Sequence, residues 1–174
     1  MAIVTIVGAG MMGSALAFPA RENGHTVRIV GTHLDREIID ECLQNNKHPK
    51  FDIPFPKGIE FFQIEELEKA LVGANVVIGG VSSFGVDWFA NKVLPVIPET
   101  AVVLTVTKGL MDTPDGKLFT YPNFWKEKLK SIHKSLSLNA IGGPCTSYEL
   151  VVHDQTEVAF CGDDIKAVSY THLR

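Results

Sequence analysis

The sequence predicts an α/β fold with a doubly wound, mostly parallel sheet, and three observations lead to this prediction. Short runs rich in valine and isoleucine alternate with stretches of helical periodicity. The first apolar run leads directly into a glycine-rich turn and then into a helix. The chain has 174 residues, 45% of them hydrophobic, which suits a single domain with a buried core.

In the first half, residues 2–7 form a β-rich apolar run, as expected of a buried central strand. A helix should follow from about residue 10 to about residue 21, and Pro19 predicts a kink or an early end. The Asn23–Gly24 pair marks a turn. The further predicted elements are a strand at 26–30, a helix at 34–43, an irregular proline-containing segment at 45–57, a strand at 59–62 and a helix at 65–71.

The second half continues the alternation of strands and helices. Strands are predicted at 76–81, 101–106, 137–141 and 157–161, with helices at 86–94, 124–132 and 146–152. In such a sheet the carboxyl ends of the strands meet at one edge, where ligands bind. The loops expected at this edge are residues 8–13, 31–36, 81–85, 107–110 and 142–147.

Composition and charge exclude several classes of function. The net charge of -4 gives no general affinity for nucleic acid or anionic membranes, so we expect neither as a partner, nor membrane insertion. Three cysteines form no disulfide framework and no metal-binding spacing, which indicates a reducing, cytoplasmic location and no metal site. Residues 1–20 lack the charged start of a signal peptide and contain three glycines, so a buried strand and helix explain their apolarity better.

The glycine-rich turn reads Gly8-Ala9-Gly10-Met11-Met12-Gly13. In this GxGxxG pattern Gly8 permits a tight turn, Gly10 lets a pyrophosphate approach the backbone, and Gly13 lets the helix pack on the strand. The helix N-terminus adds free N–H groups for the anion. A ligand-free turn and a methyltransferase loop are alternatives. A methyltransferase loop usually has an acidic residue just before it, and this chain has none there. The pattern therefore predicts a Rossmann-type dinucleotide-binding domain.

The end of the second strand indicates which dinucleotide is bound. An NAD site typically has an acidic residue there for the ribose hydroxyls. This chain has Thr32 and His33, with Arg36 nearby, and Asp35 falls slightly late, at the expected helix cap. These residues suit a 2′-phosphate, so we expect NADP or NAD as the cofactor, with NADP favoured. The alternative is that His33 and Arg36 are solvated surface residues.

Two later loops contain the candidate reactive groups. Lys108 follows a predicted buried strand at the ligand-facing edge, where a cation can bind a phosphate or polarise a substrate oxygen. A solvated surface lysine is the alternative. Cys145 has no identifiable His or Asp partner, so we interpret it as a small residue that lines the site rather than a nucleophile.

Five segments of the chain, taken together and in order, resemble one family of proteins. They are residues 8–17, residues 45–56, Val81-Ser82-Ser83, Thr107-Lys108-Gly109-Leu110, and Gly142-Gly143-Pro144-Cys145 with Glu149. The family is the NAD(P)-dependent glycerol-3-phosphate dehydrogenases, and the resemblance extends to about Gly162. Three positions depart from the family pattern: Ser82 replaces proline, Met12 replaces an aromatic residue, and Cys145 replaces serine or threonine.

The resemblance implies roles for individual residues. Met11, Met12, Thr32, Lys108 and Ser147 would contact the dinucleotide, together with Ser83 and Phe84 of the 81–85 loop. Lys108, Gly143 and Cys145 would contact a small phosphate substrate. The implied reaction is reversible hydride transfer between NAD(P)H and dihydroxyacetone phosphate, which gives sn-glycerol 3-phosphate. Lys108 would stabilise substrate charge.

In this family the acid/base lysine and the substrate-phosphate ligands lie beyond the Gly-Pro element, in a helical C-terminal domain. We therefore expect residues 1–167 to be the dinucleotide-binding domain of a longer enzyme, and 168–174 to be a non-native tail. The chain alone should bind dinucleotide weakly and turn over poorly, and the full-length protein could form a homodimer. A ketopantoate-type reductase and a non-catalytic dinucleotide-binding module remain the alternative functions.

Overall fold

The computed structural model describes residues 1–113 and 115–162. Within these residues, the strands are β1 (Ile3–Val7), β2 (Thr26–Val30), β3 (Glu60–Phe62), β4 (Val76–Gly79), β5 (Val102–Thr105), β6 (Leu110–Asp112), β7 (Leu118–Thr120), β8 (Ser137–Gly142) and β9 (Ala159–Gly162). The helices are α1 (Met11–Glu22), α2 (Arg36–Asn45), α3 (Leu67–Leu71), α4 (Val86–Lys92), α5 (Tyr121–Ser131) and α6 (Ser147–Val152). The predicted tail at 168–174 lies outside the described residues.

Seven of the nine described strands form one sheet, in the order β3-β2-β1-β4-β5-β8-β9. Each pair from β3 to β8 is parallel, and β9 runs antiparallel to β8. The strand order reverses direction between β1 and β4, which is the position where open α/β sheets bind ligands. The prediction of a doubly wound, mostly parallel sheet is confirmed.

Helices cover both faces of this sheet, so the core has two layers. On one face, α1, α2 and α6 cover a cluster that includes Leu16, Phe18 and Ile39. On the other face, α3, α4 and α5 cover a second cluster that includes Phe89 and Trp125. Burial on both sides explains why the central strands read as continuous apolar runs.

Trp125 anchors the second cluster and provides a test of its packing. Its fully buried indole stacks on Phe89 with ring centroids 4.5 Å apart, and its N–H donates to the Val86 carbonyl at 3.0 Å. Trp125→Phe keeps an aromatic ring but removes this donor and some volume, so we expect a loss of about 1–3 kcal/mol of unfolding free energy in urea titrations. Trp88→Phe, at a half-buried indole, should change stability by less than about 0.5 kcal/mol. Equal losses would contradict this assignment.

Several local expectations were wrong. Helix α1 does not end early at Pro19 but continues to Glu22, and the Pro19 carbonyl accepts the Asn23 N–H and side-chain amide. Helix α5 begins at Tyr121, before the predicted residue 124, because Thr120 caps it. The antiparallel hairpin of β6 and β7 was not predicted.

Among the described residues, no helix has the length and apolarity needed to span a membrane.

Candidate functional site

Three glycines interlock where the chain leaves β1 and β4. A Cβ atom added to Gly8 would lie 2.6 Å from the Gly80 carbonyl oxygen, and one added to Gly80 would lie 2.8 Å from the Gly8 oxygen. A Cβ atom on Gly13 would also meet the Gly8 oxygen. Gly8 adopts a φ of +111°, which disfavours any other residue. The first and third glycines of the motif are therefore required by the backbone packing itself.

Gly10 differs from these glycines because it has free space around it. A Cβ atom there would have the Gly80 oxygen, at 3.8 Å, as its nearest neighbour outside the two adjoining residues, which is an ordinary van der Waals contact. Gly10 precedes α1, and no side chain caps the helix. As at every helix start, the first backbone N–H groups lack intrahelical acceptors. Gly10 and the α1 N-terminus thus form an open cradle that suits the oxygens of a pyrophosphate.

A cavity of about 380 Å³ lies beside this cradle. It is lined by Gly8, Gly10, Thr32, His33, Leu34, Asp35, Gly80, Val81, Ser82, Phe84, Gly85 and Trp88. Phe84 lies at the rim of this cavity and is 97% exposed, and the ring centroids of His33 and Trp88 are 5.9 Å apart. Apolar and aromatic surface next to an anion cradle is the combination that a dinucleotide requires.

The end of β2 differs from the expectation in one respect. Asp35 is the N-cap residue of α2, as predicted, but its carboxylate makes no cap hydrogen bond with that helix. It accepts hydrogen bonds from the Thr32 N–H and hydroxyl, both at 2.8 Å, and from the Ala9 N–H at 3.1 Å. Asp35 therefore follows the strand end in the chain, as expected, but the loop folds its carboxylate back into the site.

The remaining predicted dinucleotide contacts are not among the residues that line the cavity. Met11 and Met12 open α1, and Ser83 neighbours the lining residues Ser82 and Phe84. Arg36, in the first turn of α2, donates to the Glu65 carboxylate and is not among the residues that line the cavity. Ser147 begins α6, a helix that packs against α1.

Lys108 and Gly143 form a second part of the site. The Lys108 ammonium donates to the Gly143 carbonyl at 2.5 Å, which joins the loops after β5 and β8. The neighbouring Thr107 hydroxyl donates to the Val81 carbonyl at 2.6 Å, so the same loop also reaches the cavity wall. Lys108 is exposed, so its cation is available to an anionic ligand. Both residues are expected substrate contacts, and the structure places them side by side.

Cys145 and Glu149 have structural surroundings rather than reactive ones. Burial raises the pKa of the Cys145 thiol, and the charge of Lys108 acts in the opposite direction. The thiol therefore stays protonated and is a poor nucleophile at neutral pH. Hydrogen bonds from the Thr146 backbone and the Thr156 hydroxyl lower the pKa of Glu149, which completes a capping box on α6. The Glu149 carboxylate therefore serves as part of the N-terminal cap of α6.

The sequence reasoning missed several residues that contribute to the site. Gly80 follows Gly79 at the end of a strand, and this doubled glycine could have indicated the close backbone approach. Trp88 also lines the cavity, and its place in the predicted helix at 86–94 does not indicate this. His48 lies in the irregular segment after α2 and contacts the glycine loop, and no local pattern identifies it.

Comparisons with known proteins are consistent with this geometry. A family model described as NAD-dependent glycerol-3-phosphate dehydrogenase N-terminus matches residues 3–168. The NADP(+)-dependent glycerol-3-phosphate dehydrogenase of Archaeoglobus fulgidus is 38% identical over 159 residues, which are 91% of this chain and 46% of that protein. The chain thus spans about half the length of this curated relative.

Solved structures support the fold. A Plasmodium falciparum glycerol-3-phosphate dehydrogenase superimposes with a TM-score of 0.83 at 16% identity, covering 99% of this chain and 49% of that one. The Coxiella burnetii glycerol-3-phosphate dehydrogenase gives a TM-score of 0.80 at 20% identity, covering 97% and 49%. Since the family model covers nearly the whole chain, the chain belongs to the NAD-dependent glycerol-3-phosphate dehydrogenase family, in the region described as its N-terminus.

Proposed function

We propose that this chain is the dinucleotide-binding domain of an enzyme that transfers hydride reversibly between NAD(P)H and dihydroxyacetone phosphate, giving sn-glycerol 3-phosphate. The observation that supports this proposal most strongly is the position of the Lys108–Gly143 hydrogen bond at the sheet edge that also holds the glycine interlock. The first feature offers a cation to a phosphate-bearing substrate, and the α1 N-terminus beside the interlock offers backbone N–H groups to a pyrophosphate.

The residues of the site would hold a dinucleotide along the carboxyl edge of the sheet. The α1 N-terminus, with Gly10, Met11 and Met12, would hold the pyrophosphate. The cavity between Thr32, His33 and Phe84 would hold the adenosine end. The bound nicotinamide supplies or accepts the hydride. The loops with Lys108 and Gly143 would then lie at the substrate, as the family resemblance implies.

Lys108 would act on the substrate by charge. Its ammonium would exchange the Gly143 carbonyl for the developing negative oxygen or the phosphate of the substrate. Cys145 would line the site as a neutral thiol. We propose that the proton comes from a lysine in the other half of the enzyme, which corresponds to the part of the curated relatives that this chain does not match. Residues 1–167 would then make up the dinucleotide-binding domain.

An assay on a longer protein that also includes this other half of the enzyme tests the proposed function. NADPH oxidation should depend on dihydroxyacetone phosphate and should be absent with ketopantoate. Turnover of ketopantoate alone would favour the related reductase. Binding of NADPH without turnover of either substrate would favour a non-catalytic module. The Thr-Lys-Gly-Leu segment and the later Gly-Pro element support the first outcome.

Cofactor preference gives a separate prediction. We expect NADPH to bind about tenfold more tightly than NADH, because a 2′-phosphate can form charged hydrogen bonds with Arg36, Thr32 or His33. Arg36→Met should remove most of this difference, as measured by fluorescence titration with both dinucleotides. Glu65→Gln is the matched control, since it breaks the Arg36–Glu65 ion pair but keeps the cation. Tighter binding of NADH by the unmodified chain would contradict the preference.

A further inference from the structure

The peptide groups of Ala9 are engaged by side chains from three parts of the chain. Its N–H donates to the Asp35 carboxylate at 3.1 Å. Its carbonyl lies 3.1 Å from Nε2 of His48 and accepts the Ser14 hydroxyl at 3.2 Å. Ala9 is the middle residue of the Gly-Ala-Gly segment, so both polar groups of the loop at this position are used within the protein.

The hydrogen bonds of His48 fix which ring nitrogen has the proton. Its Nδ1 accepts the Lys50 backbone N–H at 3.1 Å, so the proton lies on Nε2, which donates to the Ala9 carbonyl. The ring is 1% exposed and packs on Phe51 with centroids 4.6 Å apart. Burial is the largest influence on the pKa of His48 and lowers it, with Lys50 adding to this effect and Asp35 and the Ala9 carbonyl opposing it. The imidazole is therefore neutral and a stable donor at neutral pH.

Asp35 acts on the other peptide group of Ala9, the one that contains its N–H. A single carboxylate oxygen accepts the Ala9 N–H together with the N–H and hydroxyl of Thr32. This oxygen joins the loop after β1 to the loop after β2. Hydrogen bonds to an ionised acceptor are stronger than neutral ones, so the connection resists displacement of either loop.

We propose that Asp35 and His48 are positioning residues that clamp the backbone of Ala9, one at its N–H and the other at its carbonyl, and so hold the glycine loop in the orientation that presents the α1 N-terminus to a pyrophosphate. This inference rests on the proposed dinucleotide site. It assigns Asp35 to the loop rather than to the ribose hydroxyls, which is the role of an acidic residue at this strand end in NAD sites.

Two pairs of variants of the chain test the clamp by fluorescence titration with NADPH and with NADH. His48→Phe keeps a ring beside Phe51 but removes the donor, and should weaken binding of both dinucleotides about fivefold, the size of one neutral hydrogen bond. His48→Gln places an amide donor near the position of Nε2 and should stay within about twofold of the unmodified chain. Asp35→Ala should weaken both about tenfold, and Asp35→Asn, which keeps an acceptor oxygen, should lose less.

The outcomes separate the clamp from its alternatives. A loss for NADH alone in Asp35→Ala would identify Asp35 as a ribose ligand and overturn the clamp. Unchanged affinities in folded His48→Phe and Asp35→Ala would also overturn it, while leaving the dinucleotide site intact. No NADPH binding by the unmodified chain would contradict the proposed function instead. Circular dichroism checks folding, and if His48→Phe does not fold, the Asp35 pair decides.

Discussion

Replacement of Gly8 by alanine is expected to destabilise the chain by about 4 kcal/mol, the sum of backbone strain and a steric clash. The residue has a φ of +111°, and its new methyl group would lie 2.6 Å from the oxygen and 2.7 Å from the carbon of the Gly80 carbonyl. Both neighbours are backbone atoms at the end of a buried strand, so neither can move without disturbing the sheet. Urea unfolding followed by circular dichroism measures the loss.

Two other glycines serve as matched controls for this substitution. Gly24 also has a positive φ, of +82°, but in the described part of the chain a Cβ atom there would meet nothing within 4 Å beyond the two adjoining residues, so Gly24→Ala should cost only about 1 kcal/mol. Gly10→Ala should leave stability nearly unchanged, because its nearest neighbour would lie at 3.8 Å. It should lower NADPH affinity, since the methyl group would occupy the cradle. Equal stability losses at Gly8 and Gly24 would contradict the interlock.

Replacement of Lys108 by methionine should abolish most of the catalytic activity. The test uses a longer protein that also includes the half of the enzyme that this chain does not match in its relatives. In that protein we expect kcat/KM for dihydroxyacetone phosphate to fall about 100- to 1000-fold, the usual effect of removing one charged stabilising donor. The substitution removes the cation that donates to the Gly143 carbonyl, but keeps the length of the side chain. NADPH oxidation with varied substrate measures the change.

A surface lysine provides the control for this effect. Lys130 lies on α5 and pairs with Glu127, and Lys130→Met should leave kcat/KM within about twofold of the unmodified enzyme. The Lys108→Met variant should also keep its fold, because Lys108 is exposed. If Lys108→Met retained full activity, substrate charge would have to be stabilised by another group, and the substrate site would not lie at the Lys108–Gly143 pair.

Much of the fold could be predicted because its signals are local. Strands β1, β2, β4 and β5 are short valine- and isoleucine-rich runs, and their burial on both faces requires that composition. The first and third glycines of the loop were recognised by spacing, and the structure explains them by contact with each other and with Gly80. Lys108 was identified by its position after a strand and Gly143 by the family resemblance, and the structure joins them.

The remaining features depend on contacts between distant residues. His48 reaches Ala9 across 39 positions, and Asp35 reaches it across 26, so no short window contains either pair. The reversal of β9 depends on how it pairs with β8, and its own residues do not specify a direction. The β6–β7 hairpin has strands of three residues each, too short for a clear alternation of polar and apolar side chains.

An NMR titration of the chain with NADPH tests the central claim most directly. If the glycine loop and the adjoining cavity form the dinucleotide site, the largest amide shift changes should fall on Gly10, Met11, Met12, Thr32, His33 and Phe84. Signals from the β6–β7 hairpin should move least, because it forms a separate two-stranded sheet. The absence of any shift at millimolar NADPH, or shifts concentrated outside the carboxyl edge of the sheet, would contradict the assignment of this site.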